Sequence, residues 1–125
     1  METQSSALTR HTGVDPRRLQ SCIDHCTECR EVCLEAVAHA LERGGRLAAR
    51  DHLILLLNCA QICQTAADFM ITGSHLHIHT CRTCAVVCRA VEETSRPFEA
   101  DSVFKRCIDL CRLVTESCDE MAAGH

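Results

Sequence analysis

The sequence predicts an all-α protein: an antiparallel, up-down-up-down four-helix bundle with a cysteine-lined core. Three observations carry that reading. Glycine and proline are scarce, five and two in 125 residues, so turns are few and regular segments long. The breaks that do occur, at Gly44-Gly45, Gly73-Ser74 and Ser95-Arg96-Pro97, divide the chain into four stretches of helical length joined by short connections, which favours antiparallel neighbours. Within each stretch, cysteines recur at steps of three, four or seven, the spacing that places side chains on one stripe of a helix.

Each element has its own signals. Asp15 before Pro16 is an N-cap followed by proline at the first helical position, and this helix runs to Arg43 with Gly44-Gly45 as its stop. Asp51 is the expected cap of a second helix that ends near Ile71, with Gly73 just beyond. Ser74 is the expected cap of a third, ending around Thr94 before the break at Pro97. The fourth begins between Glu99 and Asp101 and reaches about Ala123. The organisation is therefore a flexible N-terminal segment over residues 1–14 and one Cys-rich bundle over residues 15–125. The four cysteine-bearing helices form a loose internal repeat.

Helix one carries Cys22, Cys26, Cys29 and Cys33, and helix two Cys59 and Cys63. Helix three carries Cys81, Cys84 and Cys88, and helix four Cys107, Cys111 and Cys118. Ala66, Val91 and Val114 extend the same stripes. These are the inward a/d-type positions that leucine fills in an ordinary bundle. Aromatic residues cannot fill the space instead, since the chain has three Phe and no Trp or Tyr.

Composition bounds the function. Cysteine makes up about a tenth of the chain, a level usually seen in secreted disulfide scaffolds. The first fourteen residues, however, have no apolar core of the kind an export signal needs. The expectation is a cytoplasmic protein, in a compartment where dense cysteine more often means metal or catalysis than cross-links. No segment is read as long and apolar enough to span a bilayer, the run Leu53–Leu57 being too short. A net charge of −4, scattered Lys and Arg, and few aromatics give no nucleic-acid platform.

Three readings of a thiol-lined core compete. As small hydrophobes, cysteines are at home when buried, but twelve of them would leave a core underpacked. As disulfides, partners at i,i+3 or i,i+4 have Cβ atoms about 5–6 Å apart, beyond the roughly 3.5–4.5 Å that a disulfide takes. As metal ligands, thiolates select Cu(I), zinc or iron–sulfur clusters. Zinc-finger sites use four ligands around a turn, whereas these cysteines lie mid-helix and exceed four. The ferredoxin run of cysteines is matched only in part by Cys26, Cys29 and Cys33. Multiple Cu(I) ions suit the pattern better: each takes two or three thiolates, neighbouring pairs can share sulfurs, and a monovalent ion per thiolate neutralises a core that bare thiolates would make costly. A zinc or other soft-metal buffer and a thiol redox sensor are the alternatives. No enzyme is read. Cys81 with His77 is the nearest nucleophile and base, and it has no third, orienting member.

The segments CIDHCTECREVC, CAQIC, HTCRTCAVVC and CIDLC, on four antiparallel helices spanning residues 16 to 123, resemble the copper storage proteins and, more broadly, the Cys-rich four-helix bundles related to them. The resemblance implies storage of many Cu(I) ions in the bundle core and assembly as a homotetramer; the polar first fourteen residues point to the cytosolic branch of the family, and a copper chaperone is a candidate partner. That branch often carries more cysteines. His52, Leu56 and Met70 stand on helix two where further thiols could be, which leaves a smaller buffer or another soft metal open.

His77, four before Cys81, Met70, seven after Cys63, and Met121, three after Cys118, gather soft or borderline donors at one end of an antiparallel bundle, with Cys22. They are read as a tentative metal entrance, similar to the His- or Met-lined entrance of the family. His75 and His79 are expected on the same rim. At the other end Leu56, Val37 and Phe104 are expected to close the bundle over His52. His25 is read as flanking the cysteine stripe, His39 as facing outward, and His11 and His125 as merely terminal. The extra apolar face of helix two, Leu53, Ile54 and Leu57, is assigned to a subunit contact by the family comparison.

Overall fold

The computed structural model describes residues 13–123. It contains four long helices: α1 (Pro16–Arg43), α2 (Arg50–Ile71), α3 (His77–Ser95) and α4 (Ser102–Ala122). Each packs against two neighbours, in the ring α1–α2–α3–α4 closed by α4 on α1. Antiparallel pairing is visible in single contacts. Cys22 near the start of α1 meets Cys118 near the end of α4, and Cys33 meets Cys107 further along the same pair. His52 at the start of α2 meets Ser95 at the end of α3. This is the expected up-down-up-down bundle.

The helix ends follow from local chemistry. The Asp15 carboxylate accepts from the Arg17 amide at 2.9 Å, with Pro16 in the first turn. Val14 precedes the cap and Leu19 follows four positions into the helix. Both are buried in the core, the arrangement of a hydrophobic staple. Residues 1–12 of the expected N-terminal segment lie outside the described residues, as do 124 and 125. Gly44 and Gly45 both have positive φ, 72° and 62°, which only glycine adopts without strain. They release the chain into a 3₁₀ turn, Gly45–Ala48.

That turn corrects the expected start of α2. Ala49, not Asp51, holds the cap position, without a side-chain cap bond. Asp51 lies in the first turn, where its charge faces the positive end of the helix dipole. The end of α2 is a Schellman motif: Gly73, at φ 72°, donates to the Met70 carbonyl, and the Ser74 amide reaches back to Phe69. Because Ser74 belongs to this motif, α3 starts two residues later than the sequence suggested, capped at Leu76 instead of Ser74. The Ser74 hydroxyl accepts from the Leu76 amide at 3.1 Å, and the first helical residue is His77. A 3₁₀ turn containing Pro97 (Arg96–Phe98) separates α3 from α4. Asp101 then caps α4, accepting from the amides of Val103 and Phe104.

One expectation about α2 needs revision. By length and composition alone this helix is apolar enough to cross a membrane, although no segment was read that way. The difference arises because its apolar residues are spread around the helix instead of forming one run. His52, Leu56, Cys59, Cys63, Ala66 and Met70 face the core, and Ile54 and Leu57 are exposed.

Candidate metal centre

All twelve cysteines are free thiols, and every one is fully buried. The cause is the three-four periodicity: a residue type that returns to one stripe on each of four helices meets itself on the bundle axis. Ala66, Val91 and Val114 continue the stripes and are fully buried as well.

The sulfurs touch across helix boundaries. Between α1 and α4, Cys22 and Cys26 each lie 3.8 Å from Cys118, Cys29 lies 3.8 Å from Cys111, and Cys33 lies 4.0 Å from Cys107. Between α2 and α3, Cys59 is 3.6 Å from Cys88, and Cys63 is 3.7 Å from Cys84 and 3.9 Å from Cys88. Three sets of sulfurs lie mutually within 4.8 Å: Cys29, Cys33, Cys59 and Cys111; Cys29, Cys59, Cys63 and Cys88; and Cys22, Cys26 and Cys118. The trio is nearest the end where α1 begins. Val114 occupies the inner stripe of α4 between Cys111 and Cys118, so α4 presents no sulfur at that level.

Burial by itself raises the pKa of a thiol and keeps it protonated. The sulfur network divides them instead. Cys29 is drawn down to about 3, chiefly by its hydrogen bond with Cys111 and then Cys33, while Cys111 is pushed up, chiefly by Cys107 and Cys29. Cys26 falls to about 7 through Cys118 and Cys22, and Cys107 to about 5 through Cys111 and Cys33. Cys118 is raised by Cys22 and Cys26. Cys81 is pushed up to about 12: a bond with Cys118 pulls it down, and Cys22 with burial outweighs that. Physically, a thiolate accepting S–H donors is stabilised and its donors hold their protons. The sulfurs thus pair as S–H donors and acceptors across the helix boundaries.

Met70, His77 and Met121 are buried at the end of α2, the start of α3 and the end of α4. His77 is fixed by Ser74, whose carbonyl lies 2.9 Å from its Nδ1. A carbonyl only accepts, so Nδ1 carries the proton and Nε2 presents a lone pair. That Nε2 is the buried side-chain polar atom left without a hydrogen-bond partner among the described residues. The sequence marked His77 by its place on the stripe. The serine three residues earlier, which selects the tautomer, was read only as a helix cap. His75 and His79 are exposed on the same turn.

The far end is closed. His52 is buried, with Nδ1 2.8 Å from the Leu47 carbonyl and Nε2 3.1 Å from the Ser95 hydroxyl. Its ring lies 5.4 Å from Phe98 and 5.2 Å from Phe104. Phe104 was expected there, whereas Ser95 and Phe98 were read only as part of a helix break. His39, expected to face outward, is partly buried and pairs with Asp101 at 2.7 Å. His25 beside the cysteine stripe bonds to the Ser117 hydroxyl at 2.9 Å. His11 and His125 lie outside the described residues.

Comparison with known proteins agrees with this geometry. A family model described as copper storage protein matches residues 15–123. The uncharacterized cysteine-rich protein YhjQ of Bacillus subtilis (strain 168) is 28% identical over 104 residues, which is 83% of this chain and 95% of that protein. The crystal structure of the Nmul_A1745 protein from Nitrosospira multiformis is 40% identical, covers 86% of this chain and 96% of its own, and superimposes with a TM-score of 0.80.

Proposed function

Because this chain belongs to the copper storage protein family, we propose that it sequesters several Cu(I) ions in its core, with the twelve inward cysteines as ligands and without turnover. The observation that carries the reading is the sulfur column: twelve buried free thiols with inter-helix contacts of 3.6 to 4.0 Å. All-thiolate surroundings select soft and borderline metals, Cu(I) among them. An ion bound by two or three sulfurs can use each cross-helix pair, and adjacent ions can share a sulfur. Positive charge then replaces protons in an interior that would not tolerate bare thiolates.

The route inward passes the end that holds Met70, His77 and Met121. The unpartnered Nε2 of His77 is the first buried lone pair there and lies one helical turn before Cys81 on α3. It receives the ion and passes it to Cys22, Cys26 and Cys118. The opposite end, filled by His52, Phe98 and Phe104, offers no such donor, because both ring nitrogens of His52 are already bonded.

Free thiols at this density fit a reducing compartment, and we place the protein in the cytoplasm. Leu34, Leu41, Ile54 and Leu57 on α1 and α2 are exposed. We assign this face to contact between subunits of a homotetramer, and the end that holds His77 to exchange with a copper chaperone. An anaerobic Cu(I) titration against a strong chelator tests the storage reading. Several tightly held ions per chain are expected. Saturation at one ion would end the case for storage.

A further inference from the structure

We propose that the deep part of the core is also a binuclear site for divalent thiophilic cations of the zinc class, held by Cys29, Cys33, Cys59, Cys63, Cys88 and Cys111, with Cys29 and Cys59 bridging. The inference rests on the sulfur positions alone and does not depend on copper storage.

Two of the sulfur sets contain four members each, and they share two members, Cys29 and Cys59. Two four-cornered sets with a common pair of corners have the connectivity of two tetrahedra joined along an edge. A tetrahedral ion with metal–sulfur bonds of about 2.3 Å places its ligands about 3.8 Å apart. Edges of that length already exist in both sets. Cys29 to Cys111 is 3.8 Å in the first; Cys59 to Cys88 is 3.6 Å and Cys63 to Cys88 is 3.9 Å in the second. The ligands come from all four helices, so the centre needs no rearrangement of the fold.

The charge balance can be written out. Six thiolates around two divalent ions carry a net charge of −2. Two thiols outside the set sit where that charge falls. Cys107 lies 4.0 Å from the terminal sulfur of Cys33, and Cys84 lies 3.7 Å from Cys63 and 3.9 Å from Cys88. The mouth trio has no fourth sulfur within its set. A cation that demands four thiolates therefore has no home there, whereas one content with two or three does. Divalent ions should stop at two per chain.

The test is an anaerobic titration of the reduced apoprotein with Co²⁺, a spectroscopic stand-in for zinc, alongside the Cu(I) titration. The expected result is saturation at two Co²⁺ per chain, with the absorption of tetrahedral cobalt thiolate and magnetic coupling between the ions through their shared sulfurs. Both signals should be lost when Zn²⁺ is added. Cys59→Ala should abolish the coupling and hold no more than one ion. Saturation at one ion or above two, absence of the thiolate bands, or two uncoupled ions in the unaltered chain would overturn the proposal. The coupling measurement keeps the test decisive if Cys59→Ala does not fold. Cobalt saturating at two while Cu(I) stops at one overturns storage alone; copper loading without cobalt thiolate bands overturns this site alone.

Discussion

Asp101 joins two tasks in one carboxylate. It caps α4 through two amides and accepts from His39 on α1. His39 first, and the capped amides after it, hold this carboxyl below its ordinary value. A group whose pKa is lowered by folding contributes stability above its unfolded pKa and loses it as pH falls through the folded value. The apoprotein should therefore lose this contribution only in acid, near and below the usual carboxylate range. Asp101→Ala should cost about 1 kcal/mol at neutral pH, the usual worth of an N-cap. Its difference from the parent should shrink as the pH is lowered, measured by urea unfolding across pH. At the other end, His77→Ala removes the lone pair at the mouth and no sulfur. It should slow Cu(I) uptake several-fold with capacity unchanged, followed by stopped-flow transfer from a coloured Cu(I) chelate. Unchanged uptake would leave His77 as a helix-start residue only.

The helices differ in how plainly their sequences announce them. α1 and α4 begin on Asp15 and Asp101, whose carboxylates cap in the structure; the first was legible as a cap, the second only as a start between Glu99 and Asp101. The starts of α2 and α3 were not, because capping residues are defined by what the preceding turn has already used. Ser74 is taken by the close of α2, and Asp51 arrives after a 3₁₀ turn has set the direction. The inner stripes were fully legible, since periodicity depends on spacing and not on turn geometry. Which sulfurs meet was not, because that depends on the axial offset between helices. At this scale, Phe104→Ala should cost about 3–5 kcal/mol, since Phe104 is fully buried against His52 and Phe98. Thermal unfolding measures it. Leu57→Glu places a charge on the exposed apolar face of α2. It should reduce the particle mass in solution by light scattering, with the helical circular dichroism retained.

The whole bundle is built around a filling that leucine would supply more tightly. Cysteine side chains are short, and a core made of them gains less from burial and packing than one of larger side chains. Ions that bind the folded chain and not the unfolded one add RT ln(1 + [L]/Kd) each, about 2.7 kcal/mol at a hundredfold excess over Kd. Loading should therefore raise the melting temperature stepwise with the number of Cu(I) ions. Because each ion displaces protons, the gain should diminish as the pH is lowered, measured by calorimetry at fixed copper-to-protein ratios. The global architecture was readable in advance because one residue type marks the axis on every helix. The plugged far end was only half readable, since Ser95 and Phe98 reach His52 through a turn that no periodicity describes.

That plug, where His52 is locked between Leu47, Ser95 and two phenylalanines, gives the vessel a floor. Cargo that enters and leaves by the same opening keeps a memory of its arrival, as coins do in a narrow tube. A pulse of one copper isotope followed by a second should be drawn out in reverse, the later isotope appearing first in a scavenging chelator.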